Sequence, residues 1–162
     1  MRVLAEEEAM ASPVKLSHIV LQTNRIAAMR EWYLAVLGGE VVHENPHLCF
    51  LAYDDEHHRI ALLNFGPLAK KGEADVGLHH FAFTFASLGE LLGSYERLKG
   101  QDIAPHWCVN HGPTTSLYYR DPDGNGVELY RDRPKEEWPR AEDGSLKMHT
   151  RPLNLAALLA EA

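Results

Sequence analysis

Cysteine is scarce in this chain: Cys49 and Cys108 are the only two among 162 residues, and they form no C-x-x-C pair. Neither a disulfide framework nor a zinc-thiolate site is indicated, and a reducing, cytoplasmic setting fits. Positive charge is also in deficit, with 16 Lys and Arg against 23 Asp and Glu, a formal net charge of −7 and a pI near 5.8. Neutralising nucleic-acid phosphates or anionic lipid needs clustered Lys and Arg, so no nucleic-acid and no membrane partner is expected. Long apolar runs are missing too. The opening stretch, MRVLAEEEAMASP, has three consecutive glutamates where a secretory leader would need apolar residues, so a soluble, unprocessed protein with a small-molecule partner is expected.

What is present in quantity is apolar side chain, 45% of the total, and histidine, ten residues in all. The first is enough for one core and too little for two independent ones at this length, so a single domain is expected. The second directs attention to metal ligation and proton transfer, the two tasks for which imidazole is most used.

The histidines acquire meaning through a repeat. Residues 15–21 and 78–84 both read as strands, and each carries a histidine, His18 or His80. A shift of 62 positions (80 − 18) maps one onto the other and also maps Leu16 onto Leu78, Tyr33 onto Tyr95 and Gly38 onto Gly100. Each strand precedes an apolar stripe at helical spacing: Ile26, Met29, Tyr33 and Val36 in the first half, Leu88, Leu91, Tyr95 and Leu98 in the second. Both stripes end at glycine, Gly38-Gly39 and Gly100, where left-handed caps are expected. Three strand-like runs then follow in each half, about 40–45, 48–54 and 58–65, and about 103–109, 114–120 and 126–131. The turn Asp121-Pro122-Asp123-Gly124-Asn125-Gly126 separates the last two.

The pattern predicts an α+β fold of two paired βαβββ modules, about 15–66 and 77–132, curving as a mixed sheet around one site. An N-terminal arm (1–14) precedes them. After Arg133 the prolines Pro134, Pro139 and Pro152 break regular structure, so 133–162 reads as a wrap carrying a short helix near 153–160, able to close one mouth of a pocket.

Pairing the modules about a pseudo-twofold axis brings His18 and His80 toward a common centre, and Glu128 lies in the last strand just after the tight turn. Two neutral imidazoles and one carboxylate leave a divalent cation with open positions, the donor set that suits non-haem Fe(II) and oxygen chemistry. A lone histidine in a strand is more often a core or rim residue. The symmetric placement is what raises His18, His80 and Glu128 above that background.

The segment Tyr118-Tyr119-Arg120-Asp121-Pro122-Asp123-Gly124-Asn125-Gly126-Val127-Glu128 resembles the final hairpin of the vicinal-oxygen-chelate superfamily, whose glutamate is a metal ligand. That superfamily includes glyoxalase I, bleomycin-resistance proteins, fosfomycin thiol transferases and type I extradiol dioxygenases. The similarity runs over about 15–132 and is strongest toward single-module-pair extradiol dioxygenases. His57-His58-Arg59-Ile60-Ala61-Leu62 is similar to the stretch that supplies their acid/base histidine, corresponding to His58. Tyr118, ten positions before Glu128, matches a tyrosine that hydrogen-bonds a catecholate oxygen, and His111 matches a pocket histidine. The tail motif Arg131-Asp132-Arg133-Pro134 with Glu137-Trp138 is similar as well.

The resemblance implies O2-dependent extradiol cleavage of a catechol-type diol, with Fe(II) as cofactor, Mn(II) as the alternative, and a homo-oligomer as the assembly. His58, His57 and His111 stay open as the acid/base, because alternation along a strand puts His58 and Ala61 on opposite faces. Ala61 stands where glyoxalase I has a carboxylate ligand, which disfavours an isomerase. Val20 replaces a polar residue usual in fosfomycin thiol transferases. That transferase activity and non-catalytic binding of an aromatic drug are the competing readings.

Overall fold

The computed structural model describes residues 11–70, 72 and 76–161; most of the expected N-terminal arm lies outside the described residues. The first module runs β1 (Ile19–Gln22), α1 (Ile26–Leu37), β2 (Glu40–Asn45), β3 (Leu48–Ala52) and β4 (Ile60–Leu63). The second runs β5 (His80–Thr84), α2 (Leu88–Lys99), β6 (Trp107–Asn110), β7 (Thr114–Arg120) and β8 (Gly126–Asp132). Each module folds into its own mixed sheet, ordered β1-β4-β3-β2 in the first and β5-β8-β7-β6 in the second. In both, the first strand runs parallel to the last.

The two registers obey the repeat. Val20 pairs with Ala61 in the first sheet and Ala82 with Glu128 in the second, so Ala61 occupies the position equivalent to Glu128. The helices form for local reasons as well as tertiary ones. Gly38 takes a left-handed φ of 64° and its N–H donates to Leu34, closing α1. Ser87 caps α2 by accepting from the Glu90 N–H at 3.1 Å, while the Glu90 carboxylate reaches back to the Ala86 N–H at 3.1 Å.

One apolar cluster serves both modules. Met29, Tyr33 and Val36 of α1 and Leu91 and Leu98 of α2 pack with the helix-facing residues of both sheets, among them Leu51, Ile60, Leu62, Leu117, Tyr119, Val127 and Leu129. Polar ties cross the same seam. The Tyr33 hydroxyl donates to Asp121 at 2.9 Å, Arg25 pairs with Asp123 at 2.8 Å, and the Arg97 guanidinium donates to the Ala35 carbonyl. Helices and core thus occupy one face of each sheet and leave the other face for chemistry.

Three expectations change. Gly100 is right-handed, with φ −65°; the left-handed turn falls on Asp102, φ 60°, and Ile103 N–H returns to the Leu98 carbonyl at 3.0 Å. Residue 103 therefore finishes the helix, which is why the next strand starts at Trp107. The wrap contains a short 3-10 turn (Lys135–Glu137), the helix α3 (Leu155–Glu161) and an unforeseen strand, β9 (Arg151–Pro152). This strand pairs antiparallel with β6, Val109 opposite Pro152 and Asn110 opposite Arg151, and widens the second sheet to five strands.

Candidate active site

The open face of the second sheet is built by a row of residues at one level. Ala82 of β5 pairs with Glu128 of β8, Glu128 with Tyr118 of β7, and Tyr118 with Trp107 of β6. Alternation points all four side chains away from the helices. His80 begins β5 one step along and is level with Gly126, whose missing side chain lets the imidazole lean across β8. Its Nε2 comes to 3.1 Å from a Glu128 carboxylate oxygen. Glu128 is buried, 8% exposed, so this carboxylate faces an imidazole in an environment where an unpartnered charge is costly.

Tyr118 is the centre of the wall. Its ring meets His80 edge-on at 5.4 Å and lies 5.0 Å from Trp107. Its hydroxyl is 3.0 Å from His111 Nε2. Burial, reinforced by the Glu128 charge, pushes the phenol up to about 12, so it keeps its proton at neutral pH. Ala82, His111, Thr114, Tyr118, Glu128 and Tyr130 line a cavity of about 390 Å³, with Asp132 and Met148 at its margin. Met148 carries no signal in the sequence, because the wrap has no periodicity that would orient a side chain.

The first module gathers a second group. Arg59 binds Asp54 at 2.8 Å and donates to the Ser17 carbonyl at 2.9 Å, drawing residues 16–18 against the 53–59 connection. That ion pair holds the Asp54 carboxyl below its usual range. His18 consequently lies beside His58, ring centroids 4.4 Å apart, with His57 at 6.4 Å and Phe50 stacked on His58 at 4.4 Å. His58 precedes β4, so strand alternation does not govern it and it shares the open face with His18. Burial, followed by the charges of His18 and His57, lowers its pKa and favours a neutral ring.

The structure therefore brings together His80, Glu128, Tyr118 and His111, and separately His18, His57 and His58. Among the described residues no three His, Cys, Asp or Glu side chains gather as a metal-holding group. The expected convergence of His18 on His80 and Glu128 is not seen, since the modules meet through their helices and core while His18 lies exposed just before β1. A larger cleft of about 1210 Å³ is lined by Gln22–Arg25, Leu68, Lys70, Gly72 and the 120–125 turn and reaches His79, whose Nδ1 lies 2.7 Å from His80 Nδ1. Among the described residues no helix is long and apolar enough to cross a membrane.

Comparison with known proteins gives consistent matches. A family model described as "Glyoxalase/Bleomycin resistance protein/Dioxygenase superfamily" covers residues 15–129. The chain is 56% identical over 122 residues to biphenyl-2,3-diol 1,2-dioxygenase 3 of Rhodococcus globerulus, covering 73% of this chain and 63% of that protein. It is 51% identical over 124 residues to biphenyl-2,3-diol 1,2-dioxygenase 2 of the same organism, covering 76% and 65%. The chain thus spans less than two thirds of these relatives. A solved lactoylglutathione lyase from Agrobacterium tumefaciens shares the fold, with a TM-score of 0.58, 23% identity and coverage of 74% of this chain and 95% of that one.

Proposed function

Because the chain belongs to the Glyoxalase/Bleomycin resistance protein/Dioxygenase superfamily, we propose that it is an extradiol dioxygenase, opening a catechol-type ring beside its two hydroxyls with O2. The relatives named as biphenyl-2,3-diol dioxygenases support this substrate class. The observation that carries the reading is the Tyr118–His111 hydrogen bond set beside the His80–Glu128 pair on one open face.

That pair fits a divalent cation. An imidazole and a buried carboxylate, both donors that divalent metals take, stand 3.1 Å apart on the open face. His80 and Glu128 would hold the ion, with His18 as the third ligand, and Fe(II) suits this donor set best, ahead of Mn(II). The reading requires the His18 face of the first sheet and the Glu128 face of the second to meet on one cation. A cytoplasmic homo-oligomer is the proposed setting. When bound, the metal supplies a chelation point for both diol oxygens and an electron path between ring and O2.

The protein side chains handle protons and position. A diol hydroxyl placed on the Tyr118 oxygen passes its proton there as Tyr118 passes its own to His111 Nε2. The phenol then donates its new hydrogen to the ring oxyanion. Where the two faces meet on one cation, His58, whose pKa burial lowers, would accept a proton from the other hydroxyl. Trp107 packs beside the Tyr118 ring and Met148 lines the cavity, offering apolar surface to an aromatic substrate. A drug-binding module has no use for His80 paired with a buried Glu128, and Ala61 leaves no fourth carboxylate ligand for an isomerase. The test is oxygen uptake and a yellow ring-opened product from catechol or 2,3-dihydroxybiphenyl with anaerobically prepared, Fe(II)-loaded protein. No uptake across a panel of catechols overturns the proposal.

A further inference from the structure

The wrap does more than cover the second sheet. Its segment 147–153 is held to the chain around His111 by main-chain bonds from His149 N–H to His111 and from Leu153 N–H to Cys108, at 3.1 and 3.0 Å, and is braced within the wrap by Lys147 N–H to Pro139 at 2.8 Å. The fit is close at Gly112, whose φ is 97°. A Cβ there would stand 3.0 Å from Pro139 and 3.2 Å from the Lys147 carbonyl, so a side chain would press the wrap back by a few tenths of an ångström on a backbone that already favours glycine.

Two imidazoles are fixed by this contact. His149 Nδ1 lies 3.0 Å from the Asn110 carbonyl, and His111 Nδ1 lies 3.2 Å from the His149 carbonyl. A carbonyl oxygen can only accept, so each Nδ1 carries the hydrogen. In a neutral His111 the Nε2 is then a bare lone pair, and the Tyr118 hydroxyl 3.0 Å away must be the donor.

We propose that His149 is a positioning residue: its ring, anchored on Asn110, holds its own carbonyl against His111 Nδ1 and so fixes the tautomer in which His111 Nε2 receives the Tyr118 hydrogen. The functional weight of this device rests on the reading of Tyr118 and His111 given above, but the tautomer itself does not. The opposite tautomer would turn Nε2–H toward Tyr118 and put two lone pairs face to face at Nδ1. It would also leave His111 unable to accept the proton that Tyr118 passes on.

The test is two-bond 1H–15N correlation of 15N-histidine-labelled full-length protein at a pH where the rings are neutral, with His111→Asn identifying the signal. The expected wild-type pattern is Nδ1–H with Nε2 bare. His149→Ala should move His111 toward a tautomer average, and His149→Asn, whose amide can donate to Asn110, should restore the wild-type pattern. In turnover, His149→Ala should lower kcat about tenfold with KM within about twofold, and His149→Asn should recover most of it. A wild-type His111 with hydrogen on Nε2 overturns the proposal without any variant. So does an unchanged tautomer in folded His149→Ala. Because the spectrum needs no metal, substrate or turnover, an inactive protein with the expected tautomer would count against the dioxygenase reading alone.

Discussion

The Tyr33 hydroxyl donates to the Asp121 carboxylate at 2.9 Å, tying α1 of the first module to the turn that launches β8 of the second. Asp121 also accepts from the Asp123 and Asn125 N–H groups at 3.0 and 2.9 Å and from the Asn125 amide at 2.8 Å. The aspartate in the family-like turn thus shapes the loop before Glu128. Tyr33→Phe removes one donor from a buried carboxylate and should cost about 1–3 kcal/mol, read as a lower urea midpoint with unchanged slope.

The same pair sets the alkaline limit. Burial, then the charge of Asp121, raises the Tyr33 phenol far above its ordinary 10.0, and burial raises Tyr119 too. Above pH 10 the unfolded chain releases these protons and the folded chain retains them. The unfolded state then binds fewer protons, so stability falls as pH rises. Stability should be flat with respect to these groups below that point, and Tyr33→Phe should flatten the alkaline decline in urea titrations between pH 9 and 11.

Two glycines separate fold from site. At Gly126 a Cβ would lie 2.5 Å from the His79 carbonyl and 2.9 Å from His80 Cβ; at Gly39 it would overlap the Ala52 carbonyl. Either alanine variant should lose about 1–3 kcal/mol by overpacking. Only Gly126→Ala forces His80 from Glu128, so of the two it alone should weaken Fe(II) uptake when both are measured folded.

What could be read beforehand is what the repeat encodes. The 62-residue shift carries both strand–helix pairs, and the equal registers at Ala61 and Glu128 follow from it. Within-module geometry is local, so the hairpin that resembles the family's final one carries Tyr118 and Glu128 to the same level of the sheet. How the two modules face each other is not local, and the position of His18 could not be obtained from periodicity. Nor could β9, whose two residues join β6 through main-chain bonds that leave no mark in side-chain pattern. His58 misled for a related reason: alternation was applied to a residue that lies before its strand begins.

Metal uptake tests the proposed ligands one at a time. His80→Ala and Glu128→Ala should each weaken Fe(II) binding by more than the roughly 10–100-fold typical of residues that only support a ligand, measured by anaerobic titration. His18→Ala should match them. If His18→Ala binds Fe(II) as the wild type does, His18 is no ligand, and its cluster with His57 and His58 needs another account.

Tyr118→Phe isolates the proton path from the metal. The variant keeps the ring against His80 and Trp107 and loses the hydroxyl that bonds His111 and also reaches Glu128 and Ser116. Because the ligating side chains themselves are kept, Fe(II) content should fall far less than in Glu128→Ala, while kcat falls about a hundredfold, the scale of one positioned acid–base group. The pH profile discriminates further. With the phenol raised to about 12 by burial and Glu128, Tyr118 stays protonated through neutral pH, so its removal should lower the whole curve without moving its limbs near neutrality. A shifted limb would mean that Tyr118 titrates during turnover, and its place between the diol and His111 would have to be given to another group.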